Sequence, residues 1–162
     1  MPFSLTLTKN VMTLFLKIWT LFIGVGAVVG TAMMWIDPSG TMWGMAPLLG
    51  TLRARMPWPE VFFNDFIVSG VVLLIVNGLT QFAAAFLLFR KHRLAPYSTL
   101  ACGIVLMIWI ALEWWLFGFN AMSNIYFVFG MIETAVSIIY IKKQKYNHGT
   151  KVLSELRNAA HK

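Results

Sequence analysis

Residues 66–89 read FIVSGVVLLIVNGLTQFAAAFLLF, with Asp65 before the run, Arg90 after it and no charged side chain between. As a helix rising 1.5 Å per residue, this stretch is roughly 36 Å long, enough to cross about 30 Å of hydrocarbon. A helix that is apolar all round does not fit the surface of a soluble domain, so the run reads as a membrane span. Three similar runs follow from the same criterion: Val11–Trp35, Tyr97–Phe117 and Met122–Ile141. The expected fold class is all-α, an integral membrane four-helix bundle with a long outer loop at 36–65 and a basic tail at 142–162.

Composition agrees with that reading. The chain is 59% hydrophobic and 15% aromatic, with a mean hydropathy of +0.72, values that exclude an ordinary soluble domain. Lys9 and Lys17 before an apolar run resemble the start of a secretory signal. The run is too long for one, however, and no small-residue cleavage site follows, so an uncleaved first span is expected. The single cysteine, Cys102, falls inside the third span, which excludes a two-cysteine redox motif.

Charge supplies an orientation. Of the 13 Lys and Arg residues, all but Arg53 and Arg55 lie before or within the start of the first span, in the Arg90–Pro96 turn, or after Ile141. The positive-inside rule then places both termini and that turn in the cytoplasm, and residues 36–65 and 118–121 outside. The formal net charge of +7 is thereby used up in topology, so nucleic acid is not an expected partner. Lys142, Lys143 and Lys145, with the stripe Val152, Leu153, Leu156 and Ala159, suit contact with anionic headgroups of the lipid bilayer.

Within lipid, helices associate through small residues and interhelical hydrogen bonds. Gly26 and Gly30 form a GxxxG motif that serves either packing within the chain or a homodimer. Gly70, Asn77, Gln81 and Ala84 share one face of the second span, and Tyr126, Gly130, Glu133, Ser137 and Tyr140 share one face of the fourth. Counting from the span ends puts Asn77 and Glu133 both about 16 Å deep, at the midplane. An ionisable residue there costs about 2.5–3.5 kcal/mol or more, so it faces a partner, a cavity or a ligand. Two uses are open: Asn77, Gln81 and a protonated Glu133 as interhelical glue, or a polar cavity for a ligand or proton. Glu113 is expected about 6–7 Å from the outer boundary. Trp109 lies one turn below it, and Trp114 and Trp115 follow. These tryptophans are either an interfacial aromatic belt or part of an aromatic-and-carboxylate site for a cation or amine.

The outer loop is long enough to be functional. Asp37-Pro38-Ser39-Gly40 reads as a turn capping the exit of the first span, Asp65 precedes the second, and Gly44–Arg55 reads as a short interfacial or re-entrant helix ended by Pro57-Trp58-Pro59. Such a helix would lie as a lid over the outer mouth near Glu113. Met33, Met34, Met42, Met45 and Met56 gather at this end, but all three histidines are assigned to the other side, so no metal site is expected and the methionines read as adaptable packing.

Asp37-Pro38-Ser39-Gly40, the patchy apolar loop, Asp65-Phe66-Ile67-Val68-Ser69-Gly70, Leu73 and Asn77-Gly78 together resemble a group of small uncharacterised bacterial four-span membrane proteins. The resemblance covers roughly residues 24–115 and implies a bacterial cytoplasmic membrane, but it assigns no activity. In size and topology the chain is also loosely similar to DoxX-like proteins.

Phosphate loops, HExxH, GxSxG elbows and paired metal-ligand spacings are all missing from the sequence, and no internal repeat stands out. No cofactor is expected. Two functions remain. One is a non-enzymatic ligand- or lipid-binding, accessory or assembly protein, within a larger membrane complex in the latter cases. The other is a proton-coupled transporter of cations or amines using Glu133 and Glu113, analogous to small multidrug transporters in its use of a membrane glutamate. A lipid-modifying enzyme with a carboxylate base is a weaker third. The candidate site residues are therefore Glu133, Asn77, Gln81, Tyr126, Ser137, Glu113 and Trp109, with Asp37, Ser39 and Asp65 in the loop.

Overall fold

A computed structural model describes the backbone of residues 2–160, leaving out the side chains of residues 2–9, 59–60, 147–148, 151–157 and 160. His148, His161 and three members of the expected tail stripe, Val152, Leu153 and Leu156, therefore lie outside the described residues. The described chain is helical. Helix α1 runs over Pro2–Ile36, α2 over Ala46–Arg55 and α3 over Pro59–Phe62. The second span consists of α4 (Ile67–Leu73), a π-helical turn at Leu74–Leu79 and α5 (Thr80–Phe89). Helix α6 covers Ala95–Phe117, and α7 continues from Ala121 to Ala160.

Four helical stretches are long and apolar enough to cross a membrane: Asn10–Ile36, Ile67–Phe89, Ala95–Phe117 and Ala121–Tyr146. They match the sequence-derived spans to within a few residues. The third starts early because Pro96 sits in its first turn, where a missing N–H costs nothing. The fourth carries on into the basic segment without a break, so the tail is an extension of α7.

Each span packs against the next in sequence. The first and second fit together closely, as do the third and fourth, and of the four neighbouring pairs around the bundle the first and fourth touch least. On α1 the buried residues include Leu16, Thr20, Ile23, Gly24, Ala27 and Thr31, and the exposed ones include Val11, Leu14, Ile18, Phe22, Val25 and Val29. These positions recur every three or four residues, so the small and hydroxyl side chains of Thr20, Ala27 and Thr31 share the inward face with Leu16 and Ile23, and the outward face is bulky and apolar, as suits lipid.

Glycines set the closest approaches. A Cβ at Gly103 would lie 2.5 Å from Thr134 Oγ1 and 2.9 Å from the Thr134 nitrogen, and one at Gly130 would lie 3.0 Å from the Gly103 oxygen. The third and fourth spans therefore meet backbone to backbone at this pair. Gly26 and Gly30 are also occupied within the chain, Gly26 against the Tyr126 hydroxyl and Gly30 against Leu73. At Gly70 the bare backbone admits α1, whose Thr31 hydroxyl donates to the Gly70 carbonyl at 3.1 Å.

The loop is built as its residues suggest. Asp37 Oδ1 accepts from the Ser39 hydroxyl at 2.6 Å and Oδ2 from the Met42 N–H at 2.6 Å, closing the turn after α1. The Pro38 carbonyl accepts from the Phe66 N–H at 2.9 Å, which ties this turn to the start of the second span. Asp65 Oδ1 accepts from the Ile67 N–H at 2.9 Å, capping α4 where the helix leaves donors free. Helix α2 then packs Leu49 and Leu52 against Phe66, with Met34, Met45, Met56, Leu116 and Phe117 around them.

Arg53 and Arg55, the two cations outside the charge pattern, both bind carbonyls. Arg53 donates to Phe63 O at 2.9 Å and Asn64 O at 2.7 Å. Arg55 donates to the Trp115 carbonyl in the last turn of α6, where a cation complements the helix dipole, and stands over the Trp115 ring.

Candidate functional site

The two membrane glutamates occupy different environments, and the contrast begins with their helices. The π-helical turn at Leu74–Leu79 adds a residue to one turn of the second span, a feature often found at functional sites. Asn77 and Gly78 both become buried, and Gln81 is carried onto the fourth span.

Glu133 is fully buried, and so is Ser137 one turn on; Gln81 is 1% exposed. The Gln81 amide Nε2 donates to Glu133 Oε2 at 2.9 Å. Nearby, Ser137 Oγ donates to Thr99 Oγ1 at 2.8 Å, and the Cys102 thiol reaches the Thr80 carbonyl at 3.4 Å. This polar layer is set between two apolar clusters, one around Leu16, Leu88, Ala95 and Tyr140 and the other around Ile23, Leu106 and Ile110. Gln81 rather than Asn77 is the partner of Glu133, a departure from the expected three-way pairing. Asn77 Nδ2 has no hydrogen-bond partner among the described residues. Equal residue counts placed Asn77 level with Glu133, but the π turn adds a residue just before Gln81, and it is Gln81 that meets the carboxyl.

Asn77 instead lines a cavity of about 450 Å³, and so does Glu113. Its walls come from all four spans: Phe22, Gly26 and Met33 of the first, Leu73 and Asn77 of the second, Leu106, Trp109 and Glu113 of the third, and Met122, Ser123 and Tyr126 of the fourth. It forms where the first and fourth spans pack least, and Gly26 leaves the room that the Tyr126 hydroxyl enters. Because Phe22, Val25, Val29 and Met122 are both lining residues and exposed, the cavity opens on the lipid-facing flank.

Glu113 is half-buried and doubly held. Trp109 Nε1 donates to Oε1 at 2.6 Å, and the Ser123 hydroxyl donates to Oε2 at 2.7 Å. Behind Ser123, Asn120 Nδ2 donates to Ser123 Oγ at 2.9 Å while the Ser123 N–H donates to Asn120 Oδ1 at 2.9 Å, which fixes the orientation of the amide. The Trp109 and Ser123 side chains thus give each carboxyl oxygen one donor, an arrangement that suits a carboxylate, which only accepts. The aromatic residues divide accordingly. Trp115 is exposed, Trp114 lies tilted against Phe127 with ring centroids 4.6 Å apart, and Trp109 holds Glu113.

Of the sequence-derived residues, Glu113, Trp109, Tyr126 and Asn77 meet around this cavity, while Glu133, Gln81 and Ser137 form the separate buried layer. Asp37, Ser39 and Asp65 shape the loop and line neither. The α2 helix packs over the end of α6, and none of its residues is among those that line the cavity. Sequence reasoning missed Ser123 and Asn120. The usable signal was Asn120 after Gly118 at a helix start, where Asn is a favoured N-cap. Comparison with protein-family models, with curated proteins and with solved structures gave no match.

Proposed function

We propose that this chain is a non-enzymatic multi-pass membrane protein that binds an amphiphilic cation or amine in the cavity beside Glu113, with the ligand entering from the bilayer. The carrying observation is the carboxyl of Glu113, which accepts from Trp109 and Ser123 and lines a mostly apolar cavity. A volume of about 450 Å³ falls within the usual range for small-molecule sites, roughly 300–1,000 Å³. The rings of Trp109, Tyr126 and Phe22 add negative faces that attract a cation further, and the effect grows where water is excluded. In this reading both termini are cytoplasmic and the loop outside, so the cavity belongs to the outer half of the membrane.

A second reading, proton-coupled export of the same ligands, draws on the presence of another buried carboxyl, Glu133. One panel addresses both. Protein in nanodiscs is titrated with aromatic and alkyl ammonium ions and their uncharged isosteres, with Trp fluorescence as the readout, and proteoliposomes are then tested for proton-linked uptake of the binders. The binding reading expects saturable quenching by cations and at least tenfold weaker quenching by neutral isosteres. Equal response to both classes overturns it, and binding without uptake discards the export reading.

A further inference from the structure

The polar layer below the cavity contains a chemical mismatch with a simple resolution. Glu133 and Gln81 share one hydrogen bond, Nε2 to Oε2 at 2.9 Å. Their other two oxygens, Glu133 Oε1 and Gln81 Oε1, are buried and have no partner. Both are acceptors when the glutamate is ionised, and an amide oxygen is never a donor. An unpaired buried acceptor is costly, and an unpaired buried charge is more so. Among the described residues, what acts on the Glu133 carboxyl is burial and the Gln81 amide, with no basic group. The titratable group near it is the Cys102 thiol of the third span, which is turned to the Thr80 carbonyl.

We propose that Glu133 and Gln81 form a proton-binding site, in which one proton on Glu133 Oε1 is donated to Gln81 Oε1 and the two side chains close into an acid–amide ring. That single proton supplies the donor both orphaned oxygens need and removes the charge from the hydrocarbon. The ring runs Nε2–H to Oε2 on one side and Oε1–H to Oε1 on the other. It is the hydrogen-bond pairing of a carboxylic acid with a primary amide, and it joins the second span to the fourth. Glu113 is the opposite case, because its two oxygens already have donors. The ligand of this site is a proton, and the inference does not depend on the cavity's occupant.

Infrared difference spectroscopy of the protein in nanodiscs at pH 8 tests it. A protonated carboxyl has a carbonyl stretch well separated from that of a carboxylate, and the band moves in D2O. Wild type should show one such band; Glu113→Gln should keep it, Glu133→Gln should lose it, and Gln81→Leu should move it to higher frequency by removing the donor to Oε2. If wild type shows no protonated carboxyl at pH 8, or if the band survives in Glu133→Gln, the proposal is wrong. Should Glu133→Gln fail to fold, the carboxyl shift of 13C-glutamate-labelled wild type answers the same question, with an acid-type resonance at pH 8 in support and carboxylate resonances alone against.

Discussion

Residues that sit alone in apolar runs gave the sequence its functional content. Glu113, Glu133, Asn77 and Gln81 were all legible because each interrupts hydrocarbon, but which of them meet was not. Asn77 and Gln81 are chemically similar and share one helix face by count, so the residue pattern does not say that Gln81 reaches Glu133 while Asn77 lines the cavity. Outside the spans, Asp37 allows a pH prediction. The Ser39 hydroxyl bond, with backbone N–H groups of Met42, Trp43 and Gly40, lowers its pKa from the ordinary 3.8 against the opposing effect of burial. A carboxyl depressed in the folded state stabilises it above the ordinary pKa, and the effect disappears as pH falls through the folded value. Asp37→Asn should therefore melt below wild type in detergent at pH 7, with the gap narrowing below pH 3.8. A gap that is constant from pH 7 to pH 3 would contradict this account.

Helices were legible from hydropathy, yet their contacts depend on residues that hydropathy ignores. Gly26 and Gly30 stood out as a motif, whereas Gly103 had no such mark and faces Gly130 only because the third and fourth spans cross there. Gly103→Val should destabilise the bundle by about 1–3 kcal/mol, as overpacking does. Gly50→Ala, in open space, should change little. Chemical denaturation followed by circular dichroism compares the two. The loop helix α2 was also anticipated, and its anchoring by Arg53 and Arg55 accounts for the two cations that the topology rule left over. Arg55→Ala should speed hydrogen exchange in α2 and leave cation binding unchanged, since α2 lines no part of the cavity. Loss of binding in that variant would show that the helix does act on the mouth.

At the scale of the molecule, the chain is two closely packed pairs of spans, joined through the second and third and more weakly along a seam between the first and fourth, and the cavity lies along that seam. The spans themselves followed from the sequence. The seam did not, because its position depends on how unlike side chains such as Gly26 and Tyr126 share space across it. Orientation remains a consequence of charge placement and is open to direct labelling. In a Cys102→Ala background, Ser39→Cys should react with an impermeant maleimide from outside intact cells, and Lys145→Cys only after lysis.

On the proposed function, the Glu113 carboxylate anchors a cation in the membrane. Calorimetric titration of tetraphenylphosphonium into wild type, Glu113→Gln and Glu133→Gln in nanodiscs tests it most directly. An interaction with a charged partner contributes about 1.5–3 kcal/mol, so Glu113→Gln should weaken binding by roughly ten- to a hundredfold, while Glu133→Gln leaves it within about threefold of wild type. Equal affinity in wild type and Glu113→Gln, or no binding by wild type, would contradict the claim.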